Sequence, residues 1–254
     1  MRALVLNLAV RTERMAFMAG QLDRLGLGWD RVEAVTPDRV TPPLSDPYWS
    51  RWQRPMRPTE AAALLSHVAA WRIVAAGDAP RLVLEDDAVL MRATPAFLAG
   101  LSALPGVDHV SLEVRGRRKL LGPRHPDAPM RRLWQDRTGA AAYALWPEGA
   151  RKLLARVADA PALADGTICA AYELSSWQAD PALAVQLDIC ARYGVTPPIE
   201  TTSSISDTGR SDLSDLPAGV RGRFRTRRVA AQLRMGLRRL AHPLAKRREP
   251  DLVP

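Results

Sequence analysis

The stretch Arg81-Leu82-Val83-Leu84-Glu85-Asp86-Asp87-Ala88-Val89-Leu90 decides how the chain folds. A short apolar run with no helical period reads as a β-strand, and here it stops abruptly at three acids, which therefore occupy a strand end. Adjacent carboxylates repel one another, so the arrangement costs stability unless a cation or several donors sit beside it. Mg2+ and Mn2+ prefer such oxygen ligands and often complete their shell with substrate phosphates. The triplet also reads as a solvated acidic turn.

Working outward, Thr59 reads as the N-cap of a helix that ends at Ala76, with Leu64, Val68, Trp71 and Val74 on one side and Gly77 as its stop. Ala3 to Leu8 is a first strand. Met15, Met18, Leu22 and Leu25 follow at helical spacing and close at Gly26, and Trp29 to Val35 is a second strand. Thr36 to Pro58 carries six prolines and reads as a long loop whose Tyr48, Trp49 and Trp52 either stack on a ligand or pack the loop onto the body. Downstream come a helix over Ala96 to Leu104, a strand over Val107 to Leu112 ending at Glu113, and a strand over Thr138 to Trp146. A helix then opens at Pro147 with Ala150, Leu153, Leu154 and Val157 on its apolar face. The alternation predicts an α/β fold with a mostly parallel central sheet and ligands at the carboxyl ends of its strands.

The 254 residues hold 36 Lys and Arg against 27 Asp and Glu, a formal charge of +9, and the excess is local. Residues 221–248 contain 11 basic residues and no acid, whereas residues 1–220 contain 25 of each sign. A neutral body has no field with which to attract a nucleic acid, so a nucleic-acid partner is not expected. The two cysteines, Cys169 and Cys190, are too few for a disulfide framework and read as buried apolar residues. The short apolar start ends in Arg11, Glu13 and Arg14 without a cleavage site, and no run is long enough to span a bilayer. A cytoplasmic setting is the expectation. Near the C-terminus Val229, Leu233, Leu237, Leu240 and Leu244 form one helical stripe, interrupted near its end by Pro243, with arginines on the other faces. This pattern suits an anionic membrane surface; it also suits a helix that docks its stripe on the body, or a polyanion-binding arm. The chain therefore divides into a body over 1–213 and a basic tail over 214–254.

Several segments together resemble glycosyltransferase family 25. They are Leu6-Asn7-Leu8 with Arg11 and Glu13-Arg14; Ala34-Val35; Glu60, Ser66-His67 and Trp71; and Glu85-Asp86-Asp87 with Val89. Later matches are Leu112-Glu113, Thr138-Gly139-Ala140 with Tyr143, Gly149 to Leu154, Ala164-Asp165, and Pro197 to Ser211-Asp212, so the resemblance covers positions 3 to about 213. Ala62 and Ala63 depart from it, standing where the family usually has Gly and Cys. The resemblance implies a Rossmann-like GT-A fold and transfer of galactose or a related sugar from a UDP-sugar to a lipopolysaccharide or other cell-surface glycan in a bacterium; the basic tail adds the expectation of a peripheral place on the inner face of the cytoplasmic membrane.

On this reading Asp87, with Asp86, holds Mn2+ or Mg2+ against the donor diphosphate, and Asn7, Arg11, Arg14, His67, Glu85 and Asp86 line the donor site. An inverting transfer needs a base for the acceptor hydroxyl, and Glu113 and Asp165 are the candidates. Each has a plainer role as well: Glu113 as partner to Arg115 or Arg117, Asp165 as a helix cap, His67 as a core histidine, and Arg14 as partner to Glu13 or Asp23. Arg115, Arg117, Arg118 and Lys119 read as a mobile basic loop or a solvated run. Ser203, Ser204, Ser206 and Asp207 stand where related enzymes close over the diphosphate. The alternatives to a working transferase are a catalytically degenerate binding protein of the same fold and an anionic-polymer binder acting through the tail.

Overall fold

A computed structural model describes residues 1–137, 139–200 and 217–253. Thr138, Ser203, Ser204, Ser206 and Asp207 lie outside the described residues, as does the proposed boundary at 213.

A nine-stranded sheet runs through the molecule in the order β12-β7-β8-β10-β5-β9-β3-β1-β2. Its first half is as expected: β1 (Arg2–Asn7), α1 (Thr12–Arg24), β2 (Trp29–Glu33), α2 (Pro58–Ala76) and β3 (Arg81–Glu85), with β1 parallel to both β2 and β3. Alternation within these strands fills two layers. Ala3, Val5, Leu82 and Leu84 face a core shared with α1 and with α3 (Thr94–Leu101), while Leu4, Leu6 and Val83 face a core shared with α2 and with α4 (Pro147–Asp159). Leu82, Val83 and Leu84 are fully buried, as expected for a central strand covered on both faces.

The mostly parallel sheet is not what forms. Beyond β3 lies β9 (Ala142–Leu145), which pairs antiparallel with both β3 and β5 (His109–Ser111). The chain travels from β5 to β9 through the antiparallel hairpin of β7 (Lys119–Arg124) and β8 (Met130–Gln135), with no crossover helix to restore direction. Among the described residues of this sheet, only the β1/β2, β1/β3 and β5/β10 pairs are parallel, β10 being Ser176–Ala179. The architecture is mixed α/β.

A second, three-stranded sheet orders β4 (Ala88–Leu90), β11 (Ala184–Gln186) and β6 (Glu113–Val114). It fixes the chain on the far side of the acidic triplet, with Gln186 in register with Ala88 and the Leu187 N–H donating to the Asp87 carbonyl at 3.0 Å. Gln21 of α1 holds the same strand, giving its amide to Ala88 O at 2.9 Å and accepting from Leu90 N at 2.8 Å.

Helix α2 begins one residue before the expected Thr59 cap. Pro58 is its first residue, and Glu60 reaches back to accept from the Arg57 N–H at 3.0 Å, half of a capping box. The long proline-rich loop packs on the body: Trp49 is buried with its indole N–H on Pro42 O at 2.8 Å, and the Tyr48 hydroxyl donates to Val157 O of α4 at 2.9 Å.

Candidate functional site

The carboxyl ends of β1, β2 and β3, together with one face of α2, enclose an open cleft of about 310 Å3. Arg11 and Arg14 come from the start of α1, Ala62, Ala63, Ser66 and His67 from α2, and Glu85, Asp86 and Asp87 from the end of β3. Ser66 holds the loop after β2 in place, accepting from the Val35 N–H at 2.9 Å and donating to Ala62 O at 2.8 Å.

The three acids have different surroundings. Asp86 is buried and turned toward β1 and α1, its Oδ2 accepting from Asn7 Nδ2 at 2.7 Å and its Oδ1 from Arg14 at 2.9 Å. Arg14 is therefore bound to Asp86 rather than to Glu13 or Asp23, and both Asp86 oxygens are engaged. Asn7 also donates to Arg11 O at 3.0 Å, tying β1 to the helix start.

Glu85 ends a chain of donors. Trp71 Nε1 lies 2.7 Å from the Tyr143 hydroxyl oxygen, which lies 2.9 Å from His67 Nδ1; His67 Nε2 lies 3.1 Å from Glu85 Oε1. Counting hydrogens fixes the direction. The indole can only donate, so the tyrosine gives its own proton to Nδ1, and the neutral ring carries its hydrogen on Nε2 toward Glu85. A doubly protonated ring would leave the buried tyrosine hydrogen with no acceptor. His67 is thus both a buried residue and a wall of the cleft.

Gln186 Nε2 lies 3.3 Å from Glu85 Oε2 and 3.3 Å from each oxygen of Asp87. One long-reaching amide for three carboxylate oxygens leaves this pair short of positive charge. Burial first, and then the neighbouring Glu85 charge, push the Asp87 carboxyl up to about 7 against the opposing hydrogen bond from Gln186. Two closely spaced carboxylates at a cleft floor fit a hard divalent cation that arrives with phosphate oxygens. Asp86, each of whose oxygens already accepts a hydrogen bond from Asn7 or Arg14, has fewer free lone pairs to offer a cation than Glu85 and Asp87. Among the described residues no three His, Cys, Asp or Glu side chains form a ready-made metal site.

Neither base candidate lines the cleft. Glu113 is 1% exposed; its Oε2 accepts from the Ala141 N–H at 3.0 Å, and the Ala141 carbonyl accepts from the Glu85 N–H at 2.9 Å. Burial, opposed by the Lys119 charge and aided by that of Glu85, raises its carboxyl to about 8, so it is neutral near pH 7. Its expected partner Arg115 pairs instead with Asp188 at 3.0 Å. Helix α5 (Ala164–Ala170) starts about one turn before the expected Thr167, so Asp165 lies inside its first turn and is not its cap; it accepts from the Gly166 N–H at 2.6 Å. Burial raises its carboxyl too.

Lys119 leaves the basic loop altogether: it is buried, 2.7 Å from Asp136 and 2.6 Å from Gln178 Oε1, while Arg117 and Arg118 are exposed. Both cysteines are free, Cys190 buried and Cys169 partly so.

Residues 1–104 match the model of glycosyltransferase family 25 (LPS biosynthesis protein). The match bears out the family resemblance over that segment, which contains every lining residue of the cleft. It stops short of Glu113, Asp165 and Gln186. Among curated proteins none matches the chain.

Proposed function

We propose that the protein is a GT-A type glycosyltransferase that moves galactose or a related sugar from a UDP-sugar to a lipopolysaccharide or other cell-surface glycan acceptor, with inversion. The observation that carries this reading is the Glu85/Asp87 pair on the floor of a cleft at the ends of three parallel strands, inside the segment that matches family 25.

Glu85 and Asp87 would hold Mn2+ or Mg2+. Such an ion, when bound, acts as a Lewis acid toward the charge that develops on the departing diphosphate. The remaining work belongs to the chain itself. Arg11 and the first turn of α1 present positive charge to the diphosphate side of the cleft. Asp86 is a positioning residue, orienting Arg14 and Asn7. The Trp71, Tyr143 and His67 chain keeps Glu85 aimed into the cleft. Of the two base candidates Asp165 suits the role better than Glu113, because it is partly exposed whereas Glu113 is sealed in the core. The setting we infer is the cytoplasmic face of a bacterial inner membrane, where lipid-linked acceptors are met.

Purified protein incubated with Mn2+ and a panel of UDP-sugars is expected to release UDP. Asp87→Ala should lower that rate by roughly a hundredfold or more. Undiminished turnover in the variant would contradict the assignment.

A further inference from the structure

Helix α6 (Ala218–Ala241) sits on the body the opposite way round from a usual amphipathic helix. Three of its arginines, Arg227, Arg238 and Arg239, face inward. Arg227 donates to the carbonyls of Ser50 and Trp52, and Arg238 donates to Trp134 O while its guanidinium lies 4.2 Å from the centre of the Tyr172 ring. Arg239 reaches Gln135 Oε1 at 3.0 Å, Phe224 fills the contact, and just beyond the helix His242 stacks on Trp134. The apolar stripe, for which docking on the body is the alternative to a membrane surface, points away from the body: Val229, Leu233, Leu237, Leu240 and Leu244 are 49, 63, 64, 78 and 95% exposed.

At 100° per residue Val229, Leu233, Leu237 and Leu240 fall within about 40° of one line along the helix. Exposed Arg223 and Arg234 flank that line on one side and Arg225 on the other, and residues 221–248 contain no acid. The stripe ends at a cleft of about 410 Å3 bordered by Leu121, Leu244 and Lys246. No helix among the described residues is long and apolar enough to cross a membrane.

We propose that α6 lies in the plane of an anionic lipid surface, its leucine stripe among the acyl chains and its flanking arginines at the headgroups. The charge complementarity decides the occupant. A second copy of this chain would bring an equally basic helix against the stripe, whereas phosphate headgroups neutralise the arginines while the acyl chains take up the leucines. Because the inner face of the helix is already held by Arg227, Arg238 and Arg239, docking needs no rearrangement of the body. The inference stands apart from the catalytic reading, since vesicle binding and UDP release are measured separately.

Sedimentation with phosphatidylcholine vesicles, with and without phosphatidylglycerol, tests it on the full chain. Binding is expected only where phosphatidylglycerol is present. Leu233→Asn combined with Leu237→Asn, both exposed and therefore compatible with the fold, should weaken it about tenfold or more. Arg223→Gln and Arg234→Gln should each weaken it about fivefold at low salt. Absence of binding to anionic vesicles overturns the proposal. So does binding that the leucine variants leave unchanged, which would make the tail a purely electrostatic polyanion arm. A dimer in sedimentation velocity that the leucine variants dissociate, without lipid binding by the wild type, would assign the stripe to a second copy.

Discussion

Tyr143 is a residue whose role comes entirely from its neighbours. Its hydroxyl accepts from Trp71 and donates to His67, so Tyr143→Phe removes both links at once. The indole N–H is then left buried without an acceptor, at a cost of about 1–3 kcal/mol in unfolding free energy. Turnover should fall about tenfold, mainly in kcat, as Glu85 loses its fixed donor. Nitrogen chemical shifts of His67 provide an independent check, because Nε2–H dominates in the wild type and the preference should relax in the variant. Glu113 offers a pH test. Its folded carboxyl, at about 8, lies above the ordinary glutamate value of 4.5, so the folded state retains a proton that the unfolded state releases. Stability is thus undiminished by this group below pH 4.5 and is lost progressively as the pH rises toward 8. Glu113→Gln, whose amide oxygen can still accept from Ala141, should flatten that decline in denaturant titrations across the same window, while retaining turnover if Asp165 is the base. Glu85 and Asp87 were legible in the sequence because an apolar run halts at them. Gln186 was not: it ends a three-residue strand and becomes a neighbour of the triplet only through the register of β11 with β4.

Among the elements, the first five were legible because apolar period and stop signals agreed. The hairpin β7/β8 was not. Gly122 and Pro123 interrupt β7, register shifts break its ladder with β8, and no clean alternation survives in the sequence. Missing that hairpin led directly to the wrong sheet direction at β9. Helix α4 carries a sharper signature than its apolar face. A Cβ on Gly149 would lie 2.4 Å from Asp108 O, whose carbonyl is fixed by the Trp146 N–H at 3.0 Å. Gly149→Ala must push the helix off β5 and should cost about 1–3 kcal/mol, read as a lower denaturation midpoint with unchanged slope. At the start of α2, burial alone would raise the Glu60 carboxyl, but the Arg54 guanidinium and the N–H and guanidinium of Arg57 hold it at about 2. Since that value is depressed, its stabilising contribution is present above about pH 4.5 and disappears as the pH falls toward 2. Acid titrations of Glu60→Gln should lack that component.

For the molecule as a whole, the net charge of +9 describes a tail rather than a body. The stripe and the arginines of that tail were visible in the sequence, but which of them faces the body was not, since both faces of the helix offer something to bury. Arginine stacking decided it: Arg238 lies against Tyr172 and Trp134. Arg238→Ala should speed amide hydrogen exchange within α6 about fivefold while leaving the cleft elements unchanged. The central claim concerns the cleft itself, and anomalous diffraction from crystals soaked with UDP and Mn2+ tests it most directly. A Mn2+ peak bonded to Asp87 and to the diphosphate, between Arg11 and His67, is expected; a diphosphate bound elsewhere, or bound in the cleft with no metal at Asp87, would contradict it.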